Sequence, residues 1–180
     1  MSKITYYVQS LKTPERLKFF EENKKIIPEL KIFESINGYD TKRTDRQLKK
    51  SKLKFISFDK GHYTYGTLAN YLTKVKALRF QIENNIKYMC LIEDDLLLNK
   101  NFEKFIKDNL HLLKKHNMLR LDKWGEGYVF SLKNSKKILK YLENNGIVKN
   151  IDNQLKYLCG GDIRLKNTPW TLMVETNKGD

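Results

Sequence analysis

Three acids in a row, Glu93-Asp94-Asp95, follow directly on the apolar run Tyr88-Met89-Cys90-Leu91-Ile92. A short run of this kind reads as a strand buried in the middle of a parallel sheet. The acids then mark the point where the chain leaves the sheet's carboxyl edge, the edge at which open α/β sheets bind their ligands. Adjacent carboxylates repel one another, and solvent or a cation must relieve that repulsion. A hard divalent ion, Mn²⁺ or Mg²⁺, would take one or two of them and complete its shell with phosphate oxygens and water. The plainer alternative is a polar turn in which Asp94 or Asp95 caps a helix.

The elements that must position these acids are legible around them. Ile4-Thr5-Tyr6-Tyr7-Val8 reads as a buried first strand. Thr13 caps a helix with Pro14 at its first position and Glu15 in its first turn, ending near Lys25. Residues 30–36 alternate as a second strand and end in the turn signal Asn37-Gly38, and Lys54-Phe55-Ile56-Ser57-Phe58 reads as a short strand. From Gly66, Leu68, Leu72, Val75, Leu78 and Ile82 recur at spacings of three and four, which predicts a helix leading into the apolar run. Phe102, Phe105, Ile106, Leu110 and Leu113 mark another helix, 128–130 a strand, 135–142 a helix and 171–174 a last strand. Strands alternating with helices of this length imply an α/β fold with a largely parallel sheet. No repeat, linker or low-complexity block interrupts residues 1–180, so a single domain is expected.

Composition narrows the function classes. The 180 residues carry 35 Lys+Arg against 21 Asp+Glu, a net charge of +14, yet only six of the basic residues are Arg. Readers of nucleic acid rely on Arg for bidentate contacts, whereas Lys spread along the chain reads as a solvated surface, so no nucleic-acid partner is expected. The densest basic cluster is Lys42, Arg43, Arg46, Lys49, Lys50, Lys52 and Lys54. No apolar run approaches a membrane span, and the first residues lack the apolar core of a secretory signal. Two cysteines, Cys90 and Cys159, make neither a disulfide framework nor a Cys-based zinc site. A reducing, cytoplasmic setting is the expectation.

Four blocks in order give the sequence a resemblance. They are the opening strand with Ser10-Leu11-Lys12-Thr13-Pro14-Glu15-Arg16; Phe33-Glu34-Ser35-Ile36-Asn37-Gly38; Gly66-Thr67-Leu68-Ala69 with its helix, running to Glu93-Asp94-Asp95; and Gly127-Tyr128-Val129-Phe130-Ser131 with the following helix and Ile151-Asp152. The chain resembles glycosyltransferase family 25, the lipopolysaccharide and collagen galactosyltransferase group, and its relatives among large DNA viruses. That resemblance implies a GT-A fold, the Rossmann-like fold of nucleotide-diphospho-sugar transferases, with a mostly parallel central sheet flanked by helices. It implies a metal-dependent, inverting transfer from a nucleoside-diphosphate sugar, a UDP-sugar first, to a glycan or glycoprotein, in a bacterial or virus-infected cytoplasm.

Roles follow by matching positions. Asp95 corresponds to the last acid of the family motif and would ligate Mn²⁺ or Mg²⁺ directly; Glu93 would do so directly or through water, and Asp94 would face the ribose or donor sugar. Asp152 is the first candidate for the base that takes the acceptor's proton, its alternative being a cap for a helix beginning near Asn153. Glu126, in Trp124-Gly125-Glu126-Gly127, is the second: its glycines let backbone approach a sugar on which Trp124 would stack. Gln9 and Ser10 stand where such folds hold the base, Arg16 would reach the base or a phosphate, Asn37 the ribose and Lys74 the diphosphate. His62 reads as a loop residue and Cys90 as core. Leu72-Thr73-Lys74 stands where the family usually has Ser-His, and no histidine lies late in the chain, where Asp162 is a possible substitute ligand. These departures keep a catalytically inactive, carbohydrate-binding relative as the alternative. A metal-dependent phosphate-ester hydrolase is more distant.

Overall fold

The computed structural model describes residues 3–57, 64–122, 125–158 and 162–172. The chain begins β1 (Ile4–Ser10), α1 (Pro14–Ile26), β2 (Lys31–Glu34), α2 (Thr41–Ser51) and α3 (Tyr65–Glu83). It continues β3 (Tyr88–Glu93), β4 (Leu96–Leu98), α4 (Phe102–Asn109), a 3-10 turn (Leu110–Lys114) and β5 (Met118–Arg120). The last part is β6 (Gly127–Ser131), α5 (Leu132–Asn145), α6 (Ile151–Leu158), β7 (Asp162–Arg164) and β8 (Trp170–Leu172).

Six strands form the main sheet in the order β2-β1-β3-β6-β5-β7, and β4 pairs with β8 in a separate ribbon. β2, β1 and β3 run parallel, as do β5 and β7, while β6 is antiparallel to both its neighbours, β3 and β5. The expected, mostly parallel α/β sheet is therefore present with one reversed strand. The reversal has a simple cause: the connection from Arg120 to Gly127 is too short for the crossover that a parallel neighbour needs.

Alternation along the central strands divides the core into two layers. Tyr7, Met89, Leu91, Tyr128 and Phe130 face α3, α5 and α6. Tyr6, Val8, Cys90, Ile92 and Val129 face the other way, toward α1 and α4. Each strand buries both faces, which is why these segments read as apolar runs. Continuing the odd-numbered series of β3 brings Glu93 to the α3 side, and the β1–β3 register sets Gln9 directly beside it.

Several sequence expectations need correction. Thr13 precedes α1 but makes no side-chain cap, and Pro14 with Glu15 in the first turn supplies the start signal. The basic cluster is mostly helical, as α2: Asp40 caps it through Arg43 N at 2.8 Å, and the side chains it buries are Thr44 and Ser51. With so little apolar surface it carries no helical hydrophobic stripe in the sequence. The strand expected from Lys54 is a single bridge between Phe55 and Ile147, and Phe58 lies outside the described residues. Among the described residues no helix is long and apolar enough to cross a membrane.

Candidate active site

α3 begins at a close backbone contact. Thr64 and Thr67 form a capping box, and a side chain at Gly38 would meet the Gly66 backbone at 2.6 Å. The turn after β2 can therefore lie against the first turn of α3. Between them and the end of β1 opens a cleft of about 810 Å³. Of the residues expected at a site, Gln9, Arg16, Asn37, Glu93 and Asp94 line it. Asn70, on the same face of α3 and one turn before Lys74, lines it too.

Gln9 is buried, and its Nε2 donates to Asn70 Oδ1 at 3.2 Å and to Glu93 Oε1 at 3.1 Å. Its Oε1 is buried in the cleft wall without a hydrogen-bond partner among the described residues. Asn37 Oδ1 accepts from Tyr39 N at 2.9 Å and so shapes the turn. Ser10, by contrast, is turned inward: its Oγ accepts from Lys12 N at 2.9 Å.

One contact behind the cleft, through Glu93, lies a knot of charged groups. The Lys74 side chain is only 3% exposed. Its Nζ donates to Asp152 Oδ1 at 2.7 Å, Glu93 Oε1 at 3.3 Å and Gly125 O at 3.3 Å. An ammonium has three protons, and all three are used. The Tyr128 hydroxyl donates to the same Asp152 Oδ1 at 2.7 Å, and Lys74 Nζ lies 5.1 Å from the Tyr128 ring centre. Nothing among the described residues hydrogen-bonds to Asp152 Oδ2. Burial pulls the Lys74 ammonium toward its neutral form, but Asp152 and Glu93 more than offset it and its pKa lies above the ordinary lysine value. Glu93 is pushed above the usual carboxylate range by withdrawal from water, against the pull of Lys74 and with the push of Asp152 and Asp95. Burial, then Asp152, keeps the Tyr128 phenol protonated well past its ordinary range.

Local folding explains how Asp152 arrives there. Asn150 caps α6 through Asn153 N at 2.9 Å, so Asp152 is in the first turn and is not the cap. Gly125 has a φ of +99°, and a Cβ on it would meet Asp152 Oδ1 at 2.5 Å and the Tyr128 hydroxyl at 2.6 Å. The loop is held by Asp122 Oδ1, which accepts from Gly125 N at 2.7 Å and Glu126 N at 3.2 Å. Glu126 meets the motif through its backbone, its carbonyl accepting from Glu93 N at 2.8 Å. Trp124, His62 and Cys159 lie outside the described residues. Asp162 opens β7 opposite Met118.

On the α1 side, Arg16 lies beside the other two acids, Nε 3.8 Å from Asp94 Oδ1 and Nη1 3.7 Å from Asp95 Oδ2. No three His, Cys, Asp or Glu side chains converge on a cation position among the described residues. In chemistry alone, Asp95 and Glu93 are carboxylates of the kind a hard divalent ion takes, one or two at a time, when phosphate oxygens and water fill the remaining positions. Sequence reasoning missed Asn70, Asp122 and Tyr128. Asn70 was detectable as the residue one turn before Lys74; Asp122 and Tyr128 gave no chemical signal.

The family model for glycosyltransferase family 25 (LPS biosynthesis protein) matches residues 3–157. The chain belongs to that family. It is a glycosyltransferase, as the acidic motif and its flanking blocks led us to expect. No curated protein matches the sequence. Among solved structures, a glycosyltransferase involved in the glycosylation of the major capsid of PBCV-1 is similar over 96% of this chain and 93% of its own, with 14% identity and a TM-score of 0.45. A cytidylyltransferase from Leptospira borgpetersenii serovar Hardjo-bovis is similar over 93% and 78%, with 15% identity and a TM-score of 0.45. In this family 25 chain the cleft and the charged knot share Glu93, which joins the two halves of the site.

Proposed function

We propose that this glycosyltransferase moves a sugar, with inversion at the anomeric carbon, from a nucleoside-diphosphate sugar to a hydroxyl of a glycan or glycoprotein. The observation that carries the reading is the cleft at the carboxyl edge of the sheet. It is lined by Gln9, Arg16, Asn37, Glu93 and Asp94, with a buried Gln9 Oε1 placed to accept a hydrogen bond from a ligand. The donor is a UDP-sugar in this reading, and the setting is the cytoplasm, consistent with a chain that has only two cysteines.

Asp95 and Glu93 Oε2 would hold Mn²⁺ or Mg²⁺. Such an ion supplies neutralisation of the charge that grows on the departing diphosphate. Arg16 adds a guanidinium suited to phosphate oxygens. Asp94 faces the donor from the cleft wall, beside Gln9 and Asn37. As the acceptor oxygen bonds to the anomeric carbon, the bond from that carbon to the diphosphate oxygen breaks and its electron pair leaves with the diphosphate. The hydroxyl proton passes to Asp152 Oδ2, the oxygen not already engaged by Lys74 and Tyr128. Glu126 is the weaker candidate for that role, since its tie to the motif runs through its backbone.

A thermal-shift panel of nucleotide sugars with and without Mn²⁺ tests the reading, because a ligand that binds the folded state raises its melting temperature. At least one nucleoside-diphosphate sugar should raise it, and more so with Mn²⁺. A flat panel at millimolar ligand, with no nucleoside diphosphate released in the presence of acceptor, would overturn the assignment.

A further inference from the structure

Lys74 occupies the helix position from which contact with the donor diphosphate is expected, yet none of its protons is left for a donor. All three go to Asp152 Oδ1, Glu93 Oε1 and Gly125 O, and the side chain is 3% exposed. We propose that Lys74 is a positioning residue: its ammonium locks Oδ1 of Asp152 in place, turns Oδ2 toward the acceptor, and fixes the spacing between Asp152 and Glu93. The inference rests on the transfer reading above and adds to it a residue that joins the base to the acidic motif without touching substrate.

Three observations converge on this role. Asp152 Oδ1 receives two donors at 2.7 Å, from Lys74 and from Tyr128, so the carboxylate cannot rotate without giving up both. Gly125 leaves no space for a Cβ beside that oxygen, which keeps the knot closed from the loop side. Lys74 also reaches Glu93, whose neighbour in the sheet is the cleft residue Gln9. A second cation holding two acids at a set distance would otherwise have to come from solution.

The test separates donor affinity from turnover in Lys74→Met and in Tyr128→Phe, measured well below each variant's melting temperature. Lys74→Met should bind the nucleotide sugar within about threefold of wild type, while kcat falls roughly 10²-fold, the scale of a displaced general base. The double variant Lys74→Met/Asp152→Asn should be no slower than Asp152→Asn alone, since residues acting as one unit are non-additive. Tyr128→Phe removes only the second donor to Oδ1 and should lower kcat about tenfold with donor affinity kept; it carries the test if Lys74→Met does not fold. A donor affinity at least tenfold weaker with kcat held would make Lys74 a donor ligand and overturn the inference, as would unchanged kinetics in the folded variants. Absence of transfer by wild type with every nucleotide sugar tried would instead overturn the transfer reading, and this inference with it.

Discussion

The two cations beside the acidic motif are held in opposite ways. On the α3 side Lys74 is 3% exposed and meets Asp152 at 2.7 Å, with the Tyr128 hydroxyl on the same oxygen. On the α1 side Arg16 is 23% exposed and stands 3.7–3.8 Å from Asp95 and Asp94. An ammonium taken out of water costs several kcal/mol unless its partners are close and complete, so the α3 side is organised before any ligand arrives. The Arg16 contacts are wider and its guanidinium is more open to solvent. In the proposed reading, the fixed geometry belongs to the half that would take the acceptor's proton and the looser geometry to the half that would receive the donor.

The largest effect that would break or sharpen this contrast is expected on the rigid side. Asp152→Asn should lower transfer by about 10²–10⁴-fold, with nucleotide-sugar affinity nearly unchanged in a calorimetric titration. Equal losses of affinity and rate would erase the division between the halves. Next comes the shared motif. Asp95→Asn should reduce transfer roughly 10²-fold, the scale of a few kcal/mol of electrostatic stabilisation, and EDTA should reproduce the loss in wild type. Full activity in chelator would remove the cation from the account.

Smaller effects belong to the adaptable side. Arg16→Gln should raise the donor KM about five- to tenfold with kcat retained, and shift the melting temperature little, since half-open ion pairs contribute about 0.2–1 kcal/mol. A fall in kcat alone would place Arg16 with the rigid half. The smallest effect is a stability readout. Tyr128 keeps its proton in the folded state well above the ordinary tyrosine range, whereas the unfolded chain releases it near pH 10. Folded wild type therefore binds the extra proton, and stability falls as the pH rises beyond about 10. Melting curves of Tyr128→Phe should show a shallower alkaline decline than wild type; identical slopes would contradict a buried, hydrogen-bonded phenol.

Much of the framework can be read directly from residue patterns, for physical reasons visible at particular positions. Ile4–Val8, Tyr88–Ile92 and Tyr128–Phe130 are buried on both faces and so appear as apolar runs. α3 carries Leu68, Leu72, Val75 and Leu78 at helical spacing because that face packs on the sheet. α2 is silent because its chief burial is of Thr44 and Ser51, and β4, β5 and β7 are three-residue strands too short for a period to show. The site divides similarly. Acids following a buried strand are legible one by one, and so is Asp152 as a candidate. Pairing across long separations is not: Lys74 and Asp152 lie 78 positions apart, and only packing of α6 on α3 reveals that Lys74 faces an acid. That Asn150 caps α6 is hidden in the sequence for a related reason, since Asn150 and Asp152 are both competent caps and only the backbone path selects Asn150.

The most direct test of the central claim follows the reaction by proton NMR with the best donor from the panel, Mn²⁺ and a hydroxyl acceptor. A single base, Asp152 Oδ2, acting in one displacement predicts that the donor's anomeric signal is replaced by a product signal of opposite configuration. Retention of configuration, or hydrolysis that proceeds equally in Asp152→Asn, would contradict it.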